Sequence, residues 1–323
     1  MPRVSVVTPC YNGSRYLGDC VASVKSQTLQ DWEMVIVDDG STDDTPNVAD
    51  RLALNDDRVR VIHQANRGAA AARNAGVAAS SAPYLLFLDS DDALAPAMLE
   101  RTVSYLDAHP DVAIVHTGHS YIGPSGEDEG VEVGGWPWAR YAPTRWWTKP
   151  LPQSEPETTF AALFLVAVFL TSLAVVRRSN FEQTSGWDED FGQGCEDTDL
   201  WLAIALTGRI HLLPEPLVFY RRHPEQWTTS PGAFERQFRK LHDKWADLDL
   251  SAEDARVVAE ARWFREHRFV PERKMTDAVR LARQGKVLKA SRAALGAARA
   301  YRPQKPPRST LPSTEPTSIT RRA

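Results

Sequence analysis

Three carboxylates fall within four residues at Asp89-Ser90-Asp91-Asp92, directly after the apolar run Tyr84-Leu-Leu-Phe-Leu88. Like charges this close repel unless a cation or hydrogen-bond donors neutralise them. An oxygen-only set of this density suits Mg2+ or Mn2+, ions that commonly bridge a carboxylate to substrate phosphates. A lone D-x-D is also what an acidic turn or a helix cap looks like. Here a second acidic turn, Asp38-Asp39-Gly40-Ser41-Thr42-Asp43, follows another apolar run, and Thr8, Pro9, Tyr11 and Asn12 follow a third.

Those runs have the look of buried strands. Val4-Ser-Val-Val-Thr8, Glu33-Met-Val-Ile-Val37, Val59-Arg-Val-Ile62, Tyr84–Leu88 and Val112-Ala-Ile-Val115 are short, mostly apolar and rich in β-branched residues. Helical pattern separates them: Leu17, Val21 and Val24 share a face, Thr42 or Asp43 can cap a helix reaching about Leu54, and Ala69–Ala79 and Pro96–Ala108 follow. Strands alternating with helices of this length predict a doubly wound α/β sheet, parallel through these strands. In such a sheet the three polar turns lie along one rim, at the carboxyl ends of the strands, where ligands bind. Gly123–Pro156 breaks the pattern and reads as an irregular excursion. It holds Trp136, Trp138, Tyr141, Trp146 and Trp147, aromatics that either stack on sugar rings or anchor a long loop. Phe160–Val176, apolar apart from Thr171 and Ser172, reads as a buried helix running into a strand at Leu173–Val176; it is at the short limit for a membrane span.

Taken in order, V-S-V-V-T-P-C-Y-N-G (4–13), V-D-D-G-S-T-D (37–43), N-R-G-A-A-A-A-R-N-A-G (66–76), L-D-S-D-D (88–92), G-W-D-E (186–189), E-D-T-D-L-W (196–201) and Y-R-R-H (220–223) resemble the family 2 glycosyltransferases with the GT-A fold. The ordered set is far more specific than any one motif. The resemblance implies a GT-A type doubly wound mixed sheet, followed here by a helical, basic C-terminal region. It implies a nucleotide-sugar-binding half at 1–117 and an acceptor and catalytic-base half at 118–229; beyond its span, pattern and a Pro/Ser/Thr-rich composition read as a helical extension at 230–300 and a disordered tail at 301–323.

It also implies roles. Asp39 resembles the acid that hydrogen-bonds the pyrimidine base, and the turn Thr8-Pro9-Cys10-Tyr11 the one that packs on the nucleoside. Arg67 and Arg73 resemble the basic residues near the base or diphosphate, in either assignment. Asp89, with Ser90, resembles the ribose-side contact, and Asp91 the metal ligand, joined by Asp89 and by His223 as a late ligand. Asp197 resembles the catalytic base, with Glu196 beside it as its orienting neighbour or substitute. Trp187 joins the tryptophans as an acceptor contact. Against these stand structural readings: Asp39, Asp43 and Asp92 as strand terminators or caps, Arg73 as a helix residue, Asp199 as the cap of the helix carrying Trp201, and His223 as a loop residue. The implied donor is a nucleotide diphosphate sugar, UDP-sugar favoured, and the acceptor a glycan or lipid-linked hydroxyl. One base and one displacement invert the anomeric centre.

Departures narrow this. The Q-x-x-R-W motif of processive members is missing, since Gln226 and Trp227 are adjacent, and no run of apolar helices follows; a single-addition enzyme is expected. A nucleotidyltransferase would carry a basic glycine-rich loop after the first strand, and Pro9–Gly13 has no Lys. A binding protein without turnover would lack Asp91 or Asp197. Net charge is −4 over 323 residues, which carries no nucleic-acid footprint. Residues 261–323 nevertheless hold sixteen Lys/Arg against four Asp/Glu. That excess suits either a solvated face or peripheral contact with an anionic membrane. Three widely spaced cysteines, Cys10, Cys20 and Cys195, fit neither a disulfide framework nor zinc. With no signal-peptide pattern after Met1, the expected location is the cytoplasm, at most at the inner membrane face.

Overall fold

A computed structural model describes residues 1–132, 157–158, 160–166, 169–191, 194–224, 233–250, 252–264 and 287–300, together with 279, 282 and 285. The chain divides into two compact units, Met1–Trp245 and Ala246–Ala323.

The apolar runs become β1 (Val4–Cys10), β2 (Trp32–Asp39), β3 (Val59–Gln64) and β4 (Tyr84–Phe87), paired parallel in the order β3-β2-β1-β4. Every residue of β1 and β4 is buried, as a sheet covered on both faces requires. Helices α1 (Leu17–Lys25), α2 (Thr45–Ala53) and α3 (Ala69–Ala78) connect them. In α3 a Cβ on Gly76 would come within 2.3 Å of the Val7 side chain. The glycine lets helix and sheet approach this closely. α2 begins at Thr45, whose N–H donates to Asp43 Oδ1 at 3.0 Å, so Asp43 does cap it, from just outside.

Beyond β4 the sheet turns mixed. After β5 (Ala93–Leu94) and α4 (Met98–Ala108), the strand β6 (Val112–Ile122) does not pair with β4. Between them lies β8 (Ala174–Arg177), antiparallel to both: Val176 sits opposite Leu85 on one side and Ile114 on the other. β9 (Arg209–Arg221) pairs parallel with β6 and antiparallel with β5. The expected division between residues 117 and 118 therefore falls inside β6, and the first unit continues past residue 229 into α8 (Ala233–Ala246). The start of the supposed excursion is ordered: β7 (Asp128–Glu132) folds back on β6 as a hairpin. Trp136, Trp138, Tyr141, Trp146 and Trp147 lie outside the described residues, as does the tail from residue 301.

The apolar stretch from Phe160 is a helix, α5 (Phe160–Val166), then a 3-10 turn at Thr171–Leu173, then β8. Among the described residues no helix is long and apolar enough to cross a membrane. A short helix α6 (Arg178–Phe181) and then α7 (Glu196–Ala205) complete the catalytic-motif region. The second unit contains α9 (Ala252–Phe264) and a last helix, Val287–Ala300.

Candidate active site

The acidic turn is built first by its own backbone: Asp92 N–H donates to Asp89 O at 3.1 Å. Asp92 points inward and is 1% exposed, accepting from Ser172 Oγ at 2.6 Å and from Arg221 N–H at 3.1 Å. Burial, then the nearby Asp91 and Asp89 charges, push its carboxyl well up. Its role is structural. Ser172 Oγ also accepts from Asp89 N–H at 3.1 Å, so one hydroxyl ties both ends of the turn. Thr171 and Ser172 were the two polar residues in the apolar run from Phe160, and that anomaly is the signal that marks them.

Asp89 meets Arg73, 4% exposed, at 2.8 Å. The same guanidinium donates to Glu196 at 3.3 Å and lies 4.4 Å from the centre of the Trp187 ring. Arg73 thus joins the end of β4 to the start of α7. Trp187 is 2% exposed, packed edge-on to Phe87 and Trp201. It floors the arginine and has no surface to offer an acceptor, which corrects the expectation for it. Asn74, one residue on from Arg73, carries no signal of its own in the motif. Its amide accepts from Trp187 N–H at 3.0 Å and donates to Trp187 O at 2.9 Å, fixing that floor.

α7 starts behind Cys195, whose φ of +66° is left-handed. Glu196 accepts from Gly194 N–H at 2.5 Å as well as from Arg73, so two donors hold its carboxylate in place. Asp197 accepts from Thr198 N–H at 2.6 Å and from the Thr171 hydroxyl at 3.5 Å. Burial, followed by the adjacent Glu196 charge, lifts the Asp197 carboxyl to about 7. A carboxylate in that range is poised to accept a proton near neutrality. Asp199 does not cap α7. It is 5% exposed and accepts from Lys244 Nζ at 2.7 Å and Trp245 Nε1 at 2.8 Å, anchoring α7 to α8.

On the opposite flank of the acidic turn, Asp91 Oδ2 lies 2.9 Å from His223 Nε2, and the histidine ring packs on Tyr16 at 5.0 Å between centroids. Among the described residues no three His, Cys, Asp or Glu side chains gather as a metal site. A pair fits nonetheless. Mg2+ demands octahedral geometry at about 2.1 Å, takes one or two carboxylates and draws other ligands from phosphates and water. Two neighbouring ligands of such an ion stand about 3 Å apart, the spacing Asp91 and His223 show.

The residues expected to face a nucleoside are more mixed. Thr8 is fully buried and Pro9 is buried with it, so neither side chain reaches the rim; Tyr11, 53% exposed, does. Asn12 stitches the first turn to the second, its Oδ1 accepting from Thr42 N–H at 2.8 Å. Asp39 is 3% exposed and accepts from Gln64 Nε2 at 2.7 Å and from the N–H groups of Arg67 at 2.9 Å and Gly68 at 2.7 Å. A carboxylate offers about four acceptor positions, so at most one remains for a base. Asp39 chiefly fixes the loop that leads into α3. Arg67 is 63% exposed and pairs with Glu189 at 2.7 Å. Ser90 stands over Gly13, where a Cβ would meet its Oγ at 3.0 Å. His116 and His119 are structural: burial drives them down to about 3 and about 4, and they sit neutral inside the sheet.

The model described as glycosyl transferase family 2 matches residues 5–184. The chain is 31% identical over 241 residues to the uncharacterized glycosyltransferase EpsJ of Bacillus subtilis (strain 168), across 72% of this chain and 64% of that one. It thus spans under two thirds of that relative's length. Among solved structures, S. aureus TarS 1-349 in complex with UDP-GlcNAc superposes with a TM-score of 0.63 at 17% identity, covering 94% of this chain and 93% of the other. The mannosyltransferase PcManGT from Pyrobaculum calidifontis, in complex with GDP-Man and Mn2+, gives 0.60 at 20% identity, covering 93% and 76%. At such identities the likeness is one of fold, the GT-A type.

Proposed function

Because the chain belongs to glycosyl transferase family 2, we propose that it moves one sugar from a nucleotide diphosphate donor to a hydroxyl acceptor, with inversion and without processive elongation. The observation that carries this reading is Arg73. It gathers the acidic turn, through Asp89, and the start of α7, through Glu196, onto one buried cation. The candidate base, Asp197, follows directly on Glu196.

In the proposed reaction the bond from the anomeric carbon to the diphosphate oxygen breaks as the acceptor oxygen attacks from the other face. Asp197 takes the acceptor proton, and the nucleoside diphosphate leaves with the bond's electrons. Asp91 and His223 would hold the divalent ion, which supplies charge neutralisation to the departing diphosphate. Arg73 keeps Asp89 and Glu196 oriented. Tyr11 is the exposed side chain available to the nucleoside. A UDP-sugar is the favoured donor; the TarS fold relative was solved with one, while PcManGT holds a GDP-sugar. A panel of nucleotide sugars with Mn2+, scored by nucleoside diphosphate release, tests this. Release from no donor, with or without acceptor, would overturn it.

A lipid-linked acceptor for cell-envelope glycan synthesis fits the basic second unit. Its last helix exposes Val287 (66%), Leu288 (82%) and Leu295 (59%). Lys289 and Arg292 are exposed on the same helix. An apolar arc beside basic residues suits the interface of an anionic leaflet.

A further inference from the structure

Arg221 is 2% exposed, yet it carries a guanidinium next to the acidic turn. Its Nε donates to the Asp91 carbonyl at 2.9 Å, its backbone N–H to Asp92 Oδ1 at 3.1 Å, and its Nη2 to Asp19 Oδ2 at 3.1 Å. A fourth, longer contact reaches the Gly123 carbonyl at 3.5 Å. The guanidinium also stands 4.8 Å from the centre of the Tyr16 ring, the ring that packs on His223. One side chain therefore grips the main chain of Asp91 and supports the aromatic surface on which His223 rests. His223 itself lies two residues further along the same strand exit.

Resting on the metal reading above, we infer that Arg221 is a positioning residue for divalent-cation binding, setting the separation of Asp91 and His223. Arginine is suited to this because its planar fork makes several directed hydrogen bonds at once. Lysine, a point charge on a flexible stem, cannot hold the Asp91 carbonyl and Asp19 together. Supports of this kind typically change metal affinity by about 10- to 100-fold when removed.

The test is Mn2+ binding to the full chain in the presence of UDP, followed by the paramagnetic resonance of free Mn2+, alongside thermal melting. Arg221→Lys is expected to weaken Mn2+ binding by about tenfold or more while melting close to the parent. Asp19→Ala removes an exposed partner of the guanidinium and should weaken binding by a smaller factor; it also carries the test if Arg221→Lys does not fold. Parental Mn2+ affinity in a folded Arg221→Lys protein, or in Asp19→Ala where that is the deciding variant, overturns the inference. A parent chain that binds no Mn2+ with UDP overturns the metal reading itself, a different and separately visible result.

Discussion

The guanidinium of Arg73 stands 2.8 Å from the carboxylate of Asp89, on a side chain only 4% exposed. Removing one member of a buried ion pair leaves the other uncompensated, at a cost of about 3–5 kcal/mol. Arg73→Met should cost about 3 kcal/mol, the low end, because Asp89 keeps partial solvent access. Urea unfolding measures this. Arg73→Lys keeps the charge but reaches only one of the two carboxylates, so turnover should fall even where stability is largely kept.

Asp197→Asn removes the proton acceptor and leaves donor contacts in place. Turnover should drop by about 10²–10⁴ while donor affinity, read by calorimetry, stays near parental. The product of the parent enzyme should show an inverted anomeric configuration by NMR; a retained one would exclude single displacement.

The pH dependence follows from the burial of Asp197. Its carboxyl is raised to about 7, so it is protonated below that value and cannot accept a proton. kcat should therefore rise with pH through about 7, roughly tenfold per unit on the acid limb. Glu196→Gln removes the neighbouring negative charge and should move that limb to lower pH. A limb that stays put in this variant would show that another group titrates.

Excess chelator should stop donor turnover, and added Mn2+ or Mg2+ should restore it. Asp91→Asn and His223→Ala should each raise the metal concentration needed for half-maximal rate by at least about tenfold, with little change in melting temperature. Full activity under chelation would sink the metal reading.

Membrane contact is tested by co-sedimentation with vesicles containing anionic lipid. The parent should bind at low salt and release at high salt, since each engaged Lys or Arg contributes about 1 kcal/mol before screening. Lys289→Glu with Arg292→Glu should abolish binding. Leu288→Ser with Leu295→Ser should weaken it without altering the salt dependence.

Much of this layout was legible in the sequence, and unevenly so. β1, β2 and β4 announce themselves as apolar runs, and the polar turns after them are local patterns. β9 was not legible: Pro214 and Pro216 argue against a strand, and its pairing with β6 absorbs them by shifting register between Thr117 and Gly118. In the site, Asp89, Asp91 and Asp197 stand inside motifs. Ser172 and Arg221 act on partners 80 and 130 residues away, and no local spacing encodes such a meeting. Trp187 reads as an acceptor contact in the sequence because a tryptophan in a motif looks the same whether it faces a sugar or floors an arginine. Only burial separates the two.

The position of β8 has a consequence for how the molecule is made. Until residues 174–177 emerge from the ribosome, the outer edge of β4 and the facing edge of β6 both carry unpaired backbone groups. Such edges recruit other strands. A chain stopped near residue 125 would hold the polar turns after β1, β2 and β4, yet lack the strand that joins β4 to β6. Its assembly depends on a contact distant in sequence, which slows folding. The acidic turn gains Ser172 together with β8, whereas Arg221 at the end of β9, and His223 beyond it, are made only afterwards, so on the proposed reading a metal site would be completed after β8 has closed the sheet.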